Sequence, residues 1–203
     1  MTPRTPAWLL PEEPAPVRLM NTVWADTAGV HDVLTDTGAL RDWLAVVTDY
    51  RAAMEEPSRD ELADALLLRD SLRRLAAYST ADRRPKAQSP VTEVDEAVDV
   101  VNALLADRPH TQLSVLGGQL RAVTAHHASP ARSALASLGQ EAIDLLTGPA
   151  AVSLRACNAP GCVLYFVKSH PRREWCSEAC GNRARAARHY QRVRNQKHSE
   201  ETP

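Results

Sequence analysis

No stretch of this sequence approaches the roughly eighteen consecutive apolar residues of a membrane-spanning helix, so no membrane partner is expected. The opening MTPRTPAWLLPEEP has neither an apolar stretch of signal-peptide length nor a small-residue cleavage site, which points to a cytoplasmic location. No repeat of fixed period recurs. Residues 1–150 contain no nucleophile–base motif, no glycine-rich phosphate loop and no paired-histidine metal motif, so an enzyme is not expected. His126 and His127 are adjacent, which in a strand sends their rings to opposite faces, and a solvated pair is expected ahead of a ligand pair. Lysine occurs only at Lys86, Lys168 and Lys197, so arginine carries most of the positive charge. Alanine is abundant too, as a GC-rich coding bias produces, and raw arginine content therefore carries little weight.

Cysteine is missing from the 156 residues before position 157 and from the 23 after position 180. Between them stand Cys157, Cys162, Cys176 and Cys180, two close pairs separated by thirteen residues. That spacing matches tetrahedral ligation of one Zn²⁺ by four thiolates, which closes every position around the ion and makes it structural. Two disulfides are the alternative, and they need an oxidising compartment. A thioredoxin-type redox pair is another, but it needs C-x-x-C, whereas these pairs are C-x4-C and C-x3-C.

Charge divides along the chain. Residues 1–154 carry 14 Lys/Arg against 21 Asp/Glu, and residues 155–203 carry 10 against 4, so a net of −7 adjoins a net of +6. A basic module on an acidic body is the pattern of a tail that meets a polyanion, nucleic acid foremost.

The expected fold is mainly α with short β-hairpins. Prolines 3, 6, 11, 14 and 16 make residues 1–16 an extended leader. From Val17 the β-branched and Asn/Asp-rich segment suggests short strands or irregular chain. Helical periodicity begins at Thr37, a candidate N-cap, with Leu40, Trp43, Leu44, Val47 and Tyr50 on one face. Ser58 with Glu61 forms a capping box for a second helix carrying Leu62, Leu66, Leu72, Leu75 and Ala76. Ser89 to Asp107 has the pattern of a third helix. Two alternating runs around Gly117-Gly118 predict a hairpin, and Pro130 opens a last body helix that Gly148-Pro149 stops. Asn21, Trp24 and His31 are candidates to line a small effector pocket in the body, and a second copy of the chain is a candidate partner.

Within the cysteine module, Asn158-Ala159-Pro160-Gly161 supplies a turn between the first two ligands. Val163–Val167 is expected to be a strand, with a turn at Ser169-His170-Pro171 and a return segment to Cys176. Ser177 caps a helix whose first turn carries Cys180, where backbone N–H groups favour the thiolate. Knuckle, hairpin and helix together make a treble-clef-like finger. The helix continues with Arg185, Arg188 and Arg192 on one face and Ala186, Tyr190 and Val193 on another, the second face expected to pack. Candidate nucleic-acid contacts are Lys168, Arg172, Arg173, Arg183, Arg185, Arg188, Arg192 and Arg194. The first four can equally neutralise the −2 of a zinc tetrathiolate, and the others can be a solvated face. An acidic protein surface or RNA is the alternative partner to DNA. Loss of a zinc ligand is expected to unfold the finger and leave the body intact.

W-C-S-E-A-C-G-N-R at Trp175–Arg183, after R-x-C-x4-C from Arg155, resembles the CGNR zinc finger, and L-M-N-T-V at Leu19–Val23 with the Gly-Gly hairpin resembles the ABATE domain. The resemblance implies a bacterial stress-induced transcriptional regulator with an ABATE-like regulatory domain over 17–148, a zinc finger over 153–195 and a disordered tail over 196–203. It implies Cys157, Cys162, Cys176 and Cys180 as ligands of one zinc and Gly181, Asn182 and Arg183 as signature residues. Three residues separate Cys176 from Cys180 where the family pattern has four, which leaves the register of the helix's first turn to be settled.

Overall fold

The computed structural model describes residues 10–48, 55–125 and 127–200. Helix α1 (Ala15–Met20) starts behind Pro14 and buries Val17, Leu19 and Met20. This corrects two expectations: the segment from Val17 begins as helix, and the proline-rich leader gives way to packed structure before residue 16, because Glu13 is already buried. A small hairpin follows, β1 (Val23–Ala25) antiparallel to β2 (Val30–Asp32).

Helix α2 (Thr37–Val47) buries Leu40, Trp43 and Leu44, and its cap is Asp36, whose carboxylate accepts the Ala39 N–H at 2.8 Å, where Thr37 was expected. Tyr50 and His126 lie outside the described residues. Helix α3 (Arg59–Thr80) has the reciprocal cap that the sequence predicts: the Ser58 hydroxyl accepts the Glu61 N–H at 3.1 Å, and the Glu61 carboxylate accepts the Ser58 N–H at 2.6 Å. Helix α4 (Val94–Leu104) starts five residues later than expected, since Ser89 precedes a proline and its hydroxyl donates instead to the Asp70 carbonyl at 2.7 Å. Strands β3 (His110–Leu116) and β4 (Gln119–Ala125) pair in register around Gly117 and Gly118, whose φ values of +59° and +76° are those of a tight turn open to glycine. Ser129 caps α5 (Pro130–Thr147) through the Arg132 N–H.

The chain then passes through a 3₁₀ turn, Pro149–Ser153, into β5 (Leu154–Ala156), which pairs antiparallel with β6 (Tyr165–Val167), and ends in α6 (Glu178–Glu200). The last of these is a correction too, because residues 196–200, expected to be disordered, continue the helix. The architecture is the mainly helical α+β arrangement expected.

Helices α1 to α5 close around one core containing Val17, Leu40, Leu68, Leu72, Leu135 and Leu138. Each such side chain contributes about 1.5–3 kcal/mol on burial. Leu154 and Tyr165 from the β5–β6 pair sit in the same core, so the cysteine module is docked onto the body. A second cluster, built on Val163, Leu164, Phe166 and Ala184, surrounds the cysteines.

Candidate metal centre and nucleic-acid interface

The four cysteines are carried by two short pieces of chain. Cys157 and Cys162 end a loop in which the Cys162 N–H donates to the Ala159 carbonyl at 2.9 Å and Gly161 takes φ +73°, the turn that Asn-Ala-Pro-Gly suggests. The hairpin forms on the other side of this loop from the one expected. Strand β6 pairs with β5, ahead of Cys157, and residues 168–175 return to Cys176 without strand structure. Three residues are too few for an alternating pattern to be recognised, which hid β5. Cys180 lies in the first turn of α6, its N–H donating to the Ser177 hydroxyl at 3.3 Å, so the three-residue spacing keeps a normal helix start.

All four sulfurs are buried, free, and within 4.8 Å of one another, with Cys162 to Cys176 at 3.8 Å and Cys176 to Cys180 at 3.4 Å. Sulfurs held at about 2.3 Å from one tetrahedral ion stand about 3.8 Å apart, so the donor set fits one structural zinc and leaves no open position. The thiols share S–H···S contacts and cannot all ionise unaided. Contacts with Cys162 and Cys176 bring Cys157 down to about 7 and those with the other three thiols lower Cys180, while Cys162 and Cys176 are driven up, Cys162 chiefly by Cys157. A divalent cation replaces those protons. The Leu164 and Cys176 N–H groups donate to the Cys162 and Cys157 sulfurs, each at 3.5 Å, and Arg183 donates to the Cys180 sulfur at 3.0 Å. Arg183 is thereby a neutralising partner of the thiolates, although the residue as a whole is exposed.

The body grips this centre with buried polar groups that sequence reasoning missed. Arg84 donates to the carbonyls of Cys157 at 2.8 Å and Cys162 at 3.0 Å while its other nitrogens hold Asp82 at 2.6 and 2.8 Å. Arg73, fully buried in α3, donates to the carbonyls of Met20, Ala87 and Val163. Asn21 donates its amide to the Tyr165 carbonyl and accepts the Tyr165 N–H, both at 2.9 Å. Glu13 accepts the Val167 N–H at 2.8 Å and pairs with Arg173 at 2.5 Å.

Those contacts overturn two groups of candidates. Arg173 lies inside the finger, donating to the Val167 and Cys176 carbonyls and lying 4.9 Å over the Phe166 ring, so it is structural. Asn21, Trp24 and His31 do not share a pocket: Asn21 has no exposed surface and its amide is satisfied by Tyr165, while the Trp24 and His31 rings stack on each other at 4.3 Å across the β1–β2 pair. His127, one of the adjacent histidines, stacks on His110 at 4.8 Å.

The remaining basic candidates stand apart. Arg185, Arg188, Arg192 and Arg194 are exposed on α6, and among the described residues no carboxylate reaches ion-pair distance of any of them. Helical spacing puts Arg185, Arg188 and Arg192 on one face and Arg194 on the opposite one. Arg185 donates to the Asn182 side chain at 2.5 Å, and Arg188 lies 5.7 Å from the centre of the Trp175 ring. Trp175 in turn leans on Gly181, where a Cβ would stand 3.0 Å from the ring. The expectation that the Tyr190 face packs is not met, since Tyr190 is 73 % exposed and no residue between Ala184 and position 197 is buried. At the start of the helix a groove of about 380 Å³ is lined by Arg172, Trp175, Ser177, Gly181 and Arg185 among others. Lys168 is half-buried beside β6, its N–H donating to the Ser153 carbonyl.

A helical body joined to a four-cysteine finger with an arginine-bearing terminal helix defines a zinc-finger protein in two parts. Residues 153–193 match the CGNR zinc finger, and residues 13–149 match ABATE, described as "Putative stress-induced transcription regulator"; the chain belongs to the ABATE family and carries a CGNR finger that holds one zinc. No curated protein matches it. These are families of regulators and zinc fingers, and no helix among the described residues is long and apolar enough to cross a membrane.

Proposed function

We propose that this protein is a DNA-binding transcriptional regulator whose zinc finger fixes the first turn of α6 and whose helical body controls the finger. The observation that carries this reading is the row Arg185, Arg188 and Arg192, exposed and, among the described residues, without carboxylate partners, next to a groove that Arg172 also lines. Guanidinium groups so placed fork onto phosphate oxygens or onto the O6/N7 edge of guanine. Trp175 under Arg188 holds one of them in place. Fluorescence anisotropy with duplex DNA over a salt series tests the proposal. If each of the three arginines neutralises one phosphate, Arg185→Ala/Arg188→Ala/Arg192→Ala flattens the slope of log K against log salt by about 2.7. An unchanged slope rejects this row as the contact surface.

Exposed Tyr190 supports a second reading, in which the arm stacks on unpaired bases of RNA or meets an acidic protein. Tighter binding to single-stranded RNA than to duplex DNA, or capture of a protein that survives nuclease treatment, would favour it.

A further inference from the structure

We propose that the β3–β4 hairpin is the surface through which two copies of this chain pair. In the strand register, Thr111 faces Thr124, Leu113 faces Ala122 and Val115 faces Leu120, and alternation puts all six on one side of the ribbon. Leu113 is 70 % exposed, Val115 68 % and Leu120 70 %, so this side is bare. The other side carries His110, Gln112, Ser114, Gln119 and Arg121 together with Leu116 at the turn, which is 51 % exposed, and the partly covered positions of the hairpin, Ser114, Val123 and Ala125, all belong to it. The hairpin is thus turned with its polar side toward cover and its apolar side toward water. A protein that alternates apolar and polar residues along both strands has prepared one face for burial. Among the described residues nothing covers it, and an isolated two-stranded ribbon is marginal in water.

A second copy fits this face best because of its charge and its area. The formal charge between residues 110 and 125 is a single arginine, Arg121, on the polar side, and the apolar side has none. Two such sides can therefore meet about a twofold axis without opposing like charges, although residues 1–154 as a whole carry a net of −7. Leu113, Val115 and Leu120 leave on the order of 300–400 Å² bare, about the largest apolar patch a monomer keeps. Doubled, and with Thr111, Ala122 and Thr124 included, the buried total reaches roughly 1,000 Å², the lower bound for a specific interface.

The test is independent of DNA binding. Sedimentation of the full, zinc-loaded chain across micromolar concentrations is expected to give twice the 22.2 kDa chain mass. The variant Leu113→Thr/Val115→Thr/Leu120→Thr keeps strand preference, and its dimer Kd is expected to rise at least about 100-fold. Hydrogen exchange gives a second readout: amides of 110–125 in the unmodified chain become protected as concentration rises. A chain that stays monomeric, a variant that dimerises as well as the parent, or hairpin amides whose exchange ignores concentration each overturns the assignment.

Discussion

Tyr165 sits at the point where body and finger meet, with its backbone held by Asn21, its hydroxyl donating to Asp82 at 2.8 Å, and the Arg84 and Arg73 guanidinium carbons 5.2 and 5.6 Å from its ring centre. Burial, reinforced by the Asp82 carboxylate, pushes its phenol up to about 12. The folded chain therefore keeps a proton that the unfolded chain releases near pH 10. Its contribution to stability is complete below about pH 10 and falls as the pH rises toward 12, by an amount on the order of 2–3 kcal/mol. Thermal melts across that window should show the fall, and Tyr165→Phe should flatten it from a lower starting point, since Asp82 loses a donor. A parent chain whose melting temperature fell no faster than that of the variant would disprove the assignment. None of this was legible in the sequence. A tyrosine inside V-L-Y-F-V announces a strand, but its partners Asn21 and Asp82 are 144 and 83 residues away, and no local pattern connects them.

At the scale of elements, α3 carries two chemistries on one stripe. Ala65, Leu68, Leu72 and Ala76 build the core, and periodicity finds them or their neighbours. Arg69 and Arg73 are buried on the same side, Arg69 between Asp32 and Asp70 and Arg73 against three backbone carbonyls. Sequence patterning assigns arginine to solvent by default, so the interlock of body and finger could not be foreseen. The capping box at Ser58, the Gly-Gly hairpin and the cysteine spacing were legible because each is a local rule with a specific backbone consequence. Helix α1 and strand β5 were not, being short elements stabilised by what they pack against.

The interlock changes the expected result of removing zinc. Cys176→Ser or chelation withdraws about 10 kcal/mol or more of metal binding from the finger. The Cys157, Cys162 and Val163 carbonyls then lose their fixed places, and Arg73 and Arg84 lose acceptors deep in the molecule. A few kcal/mol of lost pairing corresponds to roughly 10 °C in a chain of this size. Melting followed by helical circular dichroism should fall by about that much, where the sequence alone suggested an unaffected body. Identical melts with and without zinc would mean that the body does not depend on the finger.

For the whole molecule, the proposed DNA binding has two possible sources, net charge and fixed geometry. The Lys, Arg, Asp and Glu of residues 155–203 sum to a net of +6, and the −2 of a zinc tetrathiolate brings this to +4, so removing the metal leaves the segment no less basic. On the proposed reading zinc sets direction instead: Cys180 lies in the first turn of α6, Ala184 is the last buried residue within 178–196, and residues 185–196 project beyond that anchor. If charge alone mattered, the metal-free chain would bind DNA as before, with the same salt slope and the same preference among sequences. If orientation matters, Cys176→Ser measured below its melting temperature keeps a steep salt slope, since the guanidinium groups still meet phosphates, but loses discrimination between a selected site and random duplex. Phosphate contacts position a protein and base contacts specify, so the two losses separate. The arginine variant should lower the slope, and the cysteine variant should bring the ratio of specific to random binding down by at least about tenfold. A metal-free chain that discriminated as well as the zinc-loaded one would show that the finger does not aim the helix.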